Sequence, residues 1–247
     1  LFRISLNPRR LRKSCGERGS KTLHERKEFT MHIAIFGANG RTGLLLLERC
    51  LAAGHTVSAL VRKPASFVYA ERVRVVEGSV FDRKAVDATL IAPDGTRADA
   101  VLSALGANSL GKEDVLERAV PVIVAAMEAA GIRRIVALGS AGALDTALDK
   151  QSFLRRAIVE NLVYKTALKW PVASQRAQYA ALAASSLDWT LPMPGMLVDG
   201  PGRGRYRVDG DALPKNGARI ARADVADFMM AQLTSGEWSR KGVYLVW

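Results

Sequence analysis

An apolar strand that runs into three glycines and then into a helix constrains this chain more than any other feature. Ile33-Ala34-Ile35-Phe36 leads into Gly37-Ala38-Asn39-Gly40-Arg41-Thr42-Gly43, and Leu44-Leu45-Leu46-Leu47-Glu48 follows. Gly37 lets the backbone turn sharply as it leaves the strand, and Gly40 lets it approach a pyrophosphate with no Cβ in the way. Gly43 allows the new helix to pack close to the sheet. Such a helix directs unpaired N–H groups and the positive end of its dipole at phosphate, with Asn39, Arg41 and Thr42 as the polar side chains of the loop. The spacing is Gly-x-x-Gly-x-x-Gly and not Gly-x-Gly-x-x-Gly, so its weight comes from its setting.

That setting is a βαβ unit complete within roughly thirty residues. Ala53-Gly54-His55 ends the helix, and Thr56 to Val61 reads as the second strand, ending in Arg62-Lys63-Pro64. An NAD site usually places a carboxylate here for the ribose 2′-hydroxyl. Arg62 and Lys63 stand there instead, and a guanidinium pairs with a 2′-phosphate that a carboxylate would repel. The expectation is NADP(H) in preference to NAD(H); the competing reading makes both residues ordinary solvated charges.

The alternation continues. Val73 to Gly78 reads as a third strand, Asp82 to Leu90 as a helix, and Pro93-Asp94-Gly95 as a turn. Ala98 to Gly106 is a fourth strand whose last residues, Ala104, Leu105 and Gly106, should lie beside the cofactor, because parallel sheets bind ligands at the carboxyl ends of their strands. A helix from Val115 to Ala130 and a fifth strand from Arg134 to Gly139 follow. Near-continuous apolar strands alternating with helices specify an α/β fold with a doubly wound parallel sheet. In the second half, Phe153 to Leu168 reads as a helix with Leu154, Ile158 and Leu162 stacked at i, i+4 spacing, bounded by Pro171. Ser174 to Ser185 is a further helix, and Leu187 to Gly195 a strand that leaves the sheet at its prolines. Ala223 to Leu233 is a late helix and Gly242 to Val246 a last strand.

The length of 247 residues, with 49% apolar and 24% charged, suits one globular domain. No run of about eighteen apolar residues marks a membrane span, and no membrane partner is expected. Cys15 and Cys50 read as unpaired thiols of a reducing, cytoplasmic compartment. His24, His32 and His55 lack metal-ligand spacing, so no metal is expected. The net charge of +12 divides evenly: residues 1–30 hold nine Lys or Arg against three Glu. That basic segment has little apolar periodicity and is expected to be disordered. A transit peptide, a nucleic-acid arm and a translated leader upstream of the true start compete to explain it. We favour the leader, because the strand begins directly after Met31 and Lys27-Glu28 can be encoded by AAGGAG, a bacterial ribosome-binding sequence. A native first residue upstream of Met31 would contradict it. With half the excess in that segment and no recognition motif, a nucleic-acid partner is not expected.

The Gly37–Gly43 loop, the strand ending in Val61-Arg62, and Leu138-Gly139-Ser140-Ala141 together resemble the atypical short-chain dehydrogenases, as do Leu187-Asp188-Trp189-Thr190 before Pro194-Gly195 and Ala223-Asp224-Val225-Ala226-Asp227-Phe228. The likeness is to the NAD(P)H-binding branch that includes biliverdin IXβ and flavin reductases and NmrA-like proteins. It spans residues 31–247 and implies a Rossmann-like fold with a small C-terminal substrate region, mainly residues 141–215. It also implies a cofactor on Gly37–Gly43 with Arg62 at its 2′-phosphate, and nicotinamide among the loops after Leu105-Gly106 and Gly139-Ser140, near Pro194. Gly78-Ser79 departs from the family's Gly-Asp, leaving Ser79 to approach the adenine through its hydroxyl. Gly195-Met196 stands where the biliverdin reductase pattern has a histidine, and residues 151–171 look like added substrate-side structure.

The Tyr-x-x-x-Lys pair of ordinary short-chain dehydrogenases is missing, since Tyr69, Tyr164, Tyr179 and Tyr206 are followed four residues on by Val73, Leu168, Ala183 and Gly210. Tyr164-Lys165 are neighbours, and successive helical residues point about a hundred degrees apart. Ser140, delivered by the fifth strand, is the expected catalytic polar group, against the alternative that it caps the following turn. Tyr164, Trp170 and Met196 are the candidates for a substrate pocket, against the alternative that they are core. Reduction of a conjugated acceptor needs chiefly hydride proximity and stacking, so the expected function is NADPH-dependent reduction of a flavin-like or other conjugated small molecule. The alternatives are a non-enzymatic NADP(H) sensor acting on a protein partner, and an epimerase or isomerase that works without the tyrosine motif.

Overall fold

The computed structural model describes residues 30–106 and 109–247; the expected basic leader, apart from Thr30, lies outside these residues. All five residues of β1 (His32–Phe36) are buried, as befits a strand covered on both faces. It pairs in parallel with β2 (Thr56–Val61) on one side and β4 (Ala100–Ser103) on the other. β3 (Arg74–Glu77) extends the sheet beyond β2, and β5 (Arg134–Ala137) beyond β4. β6 (Asp188–Pro194) follows β5, β10 (Lys241–Val246) follows β6, and β8 (Arg207–Asp209) closes that edge antiparallel to β10. The order β3-β2-β1-β4-β5-β6-β10-β8 reverses direction between β1 and β4, the switch point at which open parallel sheets bind ligands. A separate parallel pair, β7 (Met196–Val198) with β9 (Arg219–Ala221), stands apart from the main sheet.

Helices α1 (Arg41–Ala52) and α6 (Arg222–Ala231) pack together over one apolar layer that includes Ile33, Leu46, Val57 and Met229. Helices α2 (Arg83–Thr89), α3 (Val115–Ala130) and α5 (Lys169–Ala184) cover the other layer, which includes Phe36, Val101, Ile123 and Leu182. Local chemistry sets the ends: Asp82 accepts from the Lys84 N–H at 2.9 Å to start α2, and Gly131, at φ 71°, ends α3 in the left-handed conformation that favours glycine.

Two expectations fail in the second half. β6 does not leave the sheet at its prolines: Pro192 and Pro194 stay paired with Val243 and Leu245 of β10. The N–H of Asp188 points to β5, reaching the Arg133 carbonyl, and that of Gly195 points to β10, reaching the Leu245 carbonyl. By alternation the imide nitrogens of Pro192 and Pro194 face the β5 side beyond that strand's end, so no ladder bond is lost. The expected helix over residues 153–168 is two pieces, α4 (Phe153–Ile158) and a π-helical stretch, Val159–Ala167. Pro171, expected to bound that helix, follows its end at Ala167 and sits in the first turn of α5, where its missing N–H is harmless. The i, i+4 stripe faces solvent, with Leu154 69%, Ile158 48% and Leu162 68% exposed.

Candidate functional site

A cleft of about 480 Å³ opens at the switch point, between the ends of β1, β2, β3 and β4. Gly37, at φ 79°, makes the turn out of β1 while its backbone approaches β4 so closely that a Cβ would lie 2.8 Å from the Ala104 carbonyl. A Cβ on Gly43 would run into the Gly37 carbonyl oxygen, so that glycine is what lets α1 begin directly beneath the loop. Gly40 precedes α1 without a side-chain cap, and no acidic residue lies in the first turn. The positive end of α1 is thus left for an external anion.

Of the residues expected to hold a cofactor, Gly37, Asn39, Gly40, Arg62, Lys63, Ser79, Ala104, Leu105 and Gly106 line this cleft. Arg62 and Lys63 are exposed at its β2 end, and among the described residues neither is paired with a carboxylate. Thr42 and Gly43 are buried in the first turn of α1, where they shape the loop without lining the cleft. Pro194 is buried in β6. Arg41 turns away, its guanidinium donating to Asp199 at 3.0 Å; Arg222 holds the same carboxylate at 2.7 Å. The Ser79 hydroxyl accepts from the Phe81 N–H at 3.3 Å.

Sequence reasoning missed Ser66, Gly78, Val80, Phe81 and Val115 on the cleft wall. Phe81 is 38% exposed with the Arg118 guanidinium 4.2 Å above its ring, a flat cationic and aromatic wall. The signal available was position: Val80-Phe81 follow Gly78-Ser79 at a strand end.

The fifth strand delivers Ser140 as expected. Its backbone carbonyl, not its hydroxyl, closes the following turn, accepting from the Ala143 N–H at 3.0 Å. The capping alternative therefore does not describe it. That turn borders a second cavity of about 570 Å³, lined on its apolar side by Leu144, Leu148, Val172 and Tyr164. Four cations and two acids complete the wall. Arg156 is bound by Asp149 and Glu160, and Arg176 by Asp145. Lys165 donates to the amide oxygen of Asn161 at 2.8 Å and Lys169 lies 5.0 Å from the Trp170 ring centroid, neither meeting a carboxylate among the described residues. Burial pushes the Tyr164 phenol above the ordinary tyrosine range, against the opposing pull of Arg155.

Trp170 and Met196 do not join Tyr164 in this cavity. Trp170 packs its ring against Lys112 and Lys169, and Met196 on β7 is 59% exposed. The core alternative fails for them as well, since Trp170 is 39% exposed and Met196 lies on the separate β7–β9 pair. Buried Cys50 is a free thiol, held near 12 by desolvation.

The cleft fits a dinucleotide on its own geometry. Two glycines are required by backbone approach, a helix begins uncapped beneath them, and two cations without a carboxylate partner among the described residues stand at the second strand's end.

A profile described as NAD(P)H-binding matches residues 37–236. Protein YwnB of Bacillus subtilis strain 168 is 28% identical over 207 residues, which is 82% of this chain and 91% of YwnB. Among solved structures, a short-chain dehydrogenase/reductase from Veillonella parvula in complex with NADP is 19% identical, with a TM-score of 0.70, over 88% of this chain and 94% of that one. ChuY, an anaerobilin reductase from Escherichia coli O157:H7, is 23% identical, with a TM-score of 0.68, over 87% of this chain and 96% of that one. At these identities the two structures share the fold.

Proposed function

Since the chain belongs to the NAD(P)H-binding family, we propose that it is an NADPH-dependent reductase of a flavin-like or other conjugated small molecule. The observation that carries this reading is the pairing of two spaces at the carboxyl ends of the strands. One is a dinucleotide cleft ending in the unpaired cations Arg62 and Lys63; the other is a tyrosine-bearing cavity bordered by the turn that Ser140 begins.

Bound NADPH supplies the hydride. The Gly37–Gly43 loop and the start of α1 hold its pyrophosphate, Arg62 and Lys63 hold its 2′-phosphate, and Phe81 under Arg118 walls the adenine side. The Ser140 hydroxyl, free of any capping duty, orients the carboxamide or the acceptor. The apolar floor of the second cavity takes a planar acceptor, and Lys165 and Lys169 favour one that carries an anionic tail. ChuY, named an anaerobilin reductase, gives this acceptor class a precedent on the same fold.

The sensor reading keeps one observation of its own, the exposed stripe of Leu154, Ile158 and Leu162, which a protein partner would cover. The deciding experiment is NADPH oxidation by the purified protein with FMN, riboflavin, biliverdin and a quinone, with NADH controls. Acceptor-dependent turnover that prefers NADPH supports the reductase. Tight NADP(H) binding with no turnover on any acceptor supports the sensor, and product formation without net NADPH consumption supports the isomerase.

A further inference from the structure

Tyr164 is placed by a backbone form that proteins use sparingly. π-Helical turns are rare and frequently found at functional sites, and here one runs through nine residues, Val159–Ala167. It is pinned by bonds on both sides of Tyr164: the Asn161 amide donates to the Ala157 carbonyl, the Thr166 hydroxyl to the Leu162 carbonyl, and the Leu168 N–H to the Val163 carbonyl. Arg156, Glu160 and Tyr164 face the cavity, while Leu154, Ile158 and Leu162 face out.

The phenol end of Tyr164 rests against Gly142, two residues beyond Ser140. A Cβ there would lie 3.7 Å from the Tyr164 Cζ and 2.7 Å from the Val172 Cγ2, so the glycine keeps that space open. Among the described residues the Tyr164 hydroxyl has no hydrogen-bond partner. Tyr244, packed deeper, is matched instead with the Thr146 hydroxyl at 3.3 Å. Tyr164 is therefore the tyrosine that combines a cavity-lining position with an unused donor.

We propose that Tyr164 is the proton donor of the reduction, doing from the π-helical stretch what the absent Tyr-x-x-x-Lys pair does elsewhere. This inference rests on the reductase reading. Bound NADPH would supply hydride to the acceptor, leaving an electron pair on a conjugated heteroatom. The Tyr164 O–H bond breaks, its proton passes to that heteroatom, and water at the cavity mouth returns a proton to the phenolate. Delivery in this direction requires a phenol that is protonated at rest. Lys165 does not oppose that, because its ammonium is turned to Asn161, and desolvation raises the phenol further.

The test compares wild type with Tyr164→Phe on a quinone and on FMN. General acid catalysis contributes about 10²–10⁴-fold, so kcat should fall at least tenfold while the NADPH Kd stays within about twofold. The wild-type rate should be flat across neutral pH. The variant should recover rate as pH falls and as imidazolium or phosphate buffer is added, a rescue that a packing role would not produce. Apart from turnover, the ultraviolet titration difference between the two proteins should show one phenol ionising above the usual range. An unchanged kcat, or a loss that no buffer acid restores, would overturn this assignment and leave the reductase standing. Wild-type protein that turns over none of the acceptors would overturn both.

Discussion

The dinucleotide cleft and the second cavity, the side proposed for substrate, are built by different rules. On the first, from β1 to the end of β4, recognition depends on backbone that must come close: Gly37 against Ala104, and Gly43 beneath Gly37. On the second, proposed to lie mainly in residues 141–215, the cavity is walled by side chains carried in by separate elements, among them Leu144, Tyr164 and Val172. A backbone cradle is a local requirement written in consecutive residues, whereas a side-chain cavity exists only after distant segments have packed.

Substitutions should expose that difference, beginning with the largest effect. Gly43→Val places a branched side chain where even a Cβ meets the Gly37 carbonyl. Overpacking costs about 1–3 kcal/mol and more against immovable backbone, so NADPH binding should drop at least about 100-fold by calorimetry, with a lowered Tm. Retained affinity would remove the loop from the site.

Next is Asp224→Ala, which tests how firmly α6 anchors the loop of Arg203 and Gly204 that lies on the second side. Asp224 is fully buried and accepts from the N–H groups of Arg203 and Gly204, at 3.0 and 2.9 Å, and from the Trp247 indole at 2.6 Å. Stranding these donors should cost about 1–3 kcal/mol in urea unfolding. Burial alone would raise this carboxyl, yet those donors and the Arg203 charge hold it below its usual value. Its folded pKa is depressed, so its stabilisation is present above the unfolded value of 3.8 and is lost as pH falls through the folded value. The variant should lack that acid-sensitive part, and an identical pH dependence in both proteins would refute the linkage.

Arg62→Ala sharpens the comparison on the cofactor side, where one side chain is asked to add selectivity to a backbone cradle. A hydrogen bond to a charged group contributes about 1.5–3 kcal/mol, so NADPH should weaken about 10- to 100-fold and NADH hardly at all. Equal losses would contradict a 2′-phosphate role.

The smallest effect belongs to Leu162→Ser. At 68% exposure it should change stability by less than about 0.5 kcal/mol. A cost of several times that would mean the stripe is covered in the working protein.

The same contrast explains what could be read in advance. Strands β1, β2 and β5 were legible because a strand buried on both faces is an almost unbroken apolar run, and Gly131 marked the end of α3. On the cofactor side, nine of the expected residues line the cleft. The stripe at Leu154, Ile158 and Leu162 could not tell that it faces solvent, because periodicity reports that residues share a helical face and not which way that face turns. Nothing in a linear sequence distinguishes the π-helical register of residues 159–167 from an α-helical one. Pro192 and Pro194 were misread for a related reason: whether a missing N–H matters depends on which neighbour that edge faces. Trp170 carried only residue type, which fits a pocket, a core or a surface equally well, and Met196 added only its position beside Gly195.

Cofactor preference in the unmodified protein is the most direct measure of what this cleft holds. Calorimetric titration with NADPH and with NADH, under identical salt, should give NADPH the tighter Kd by at least about tenfold, the discrimination that a charge-assisted contact to one phosphate supplies. Equal affinities, or tighter NADH, would contradict the assignment of Arg62 and Lys63 and the reading of this cleft as an NADPH site.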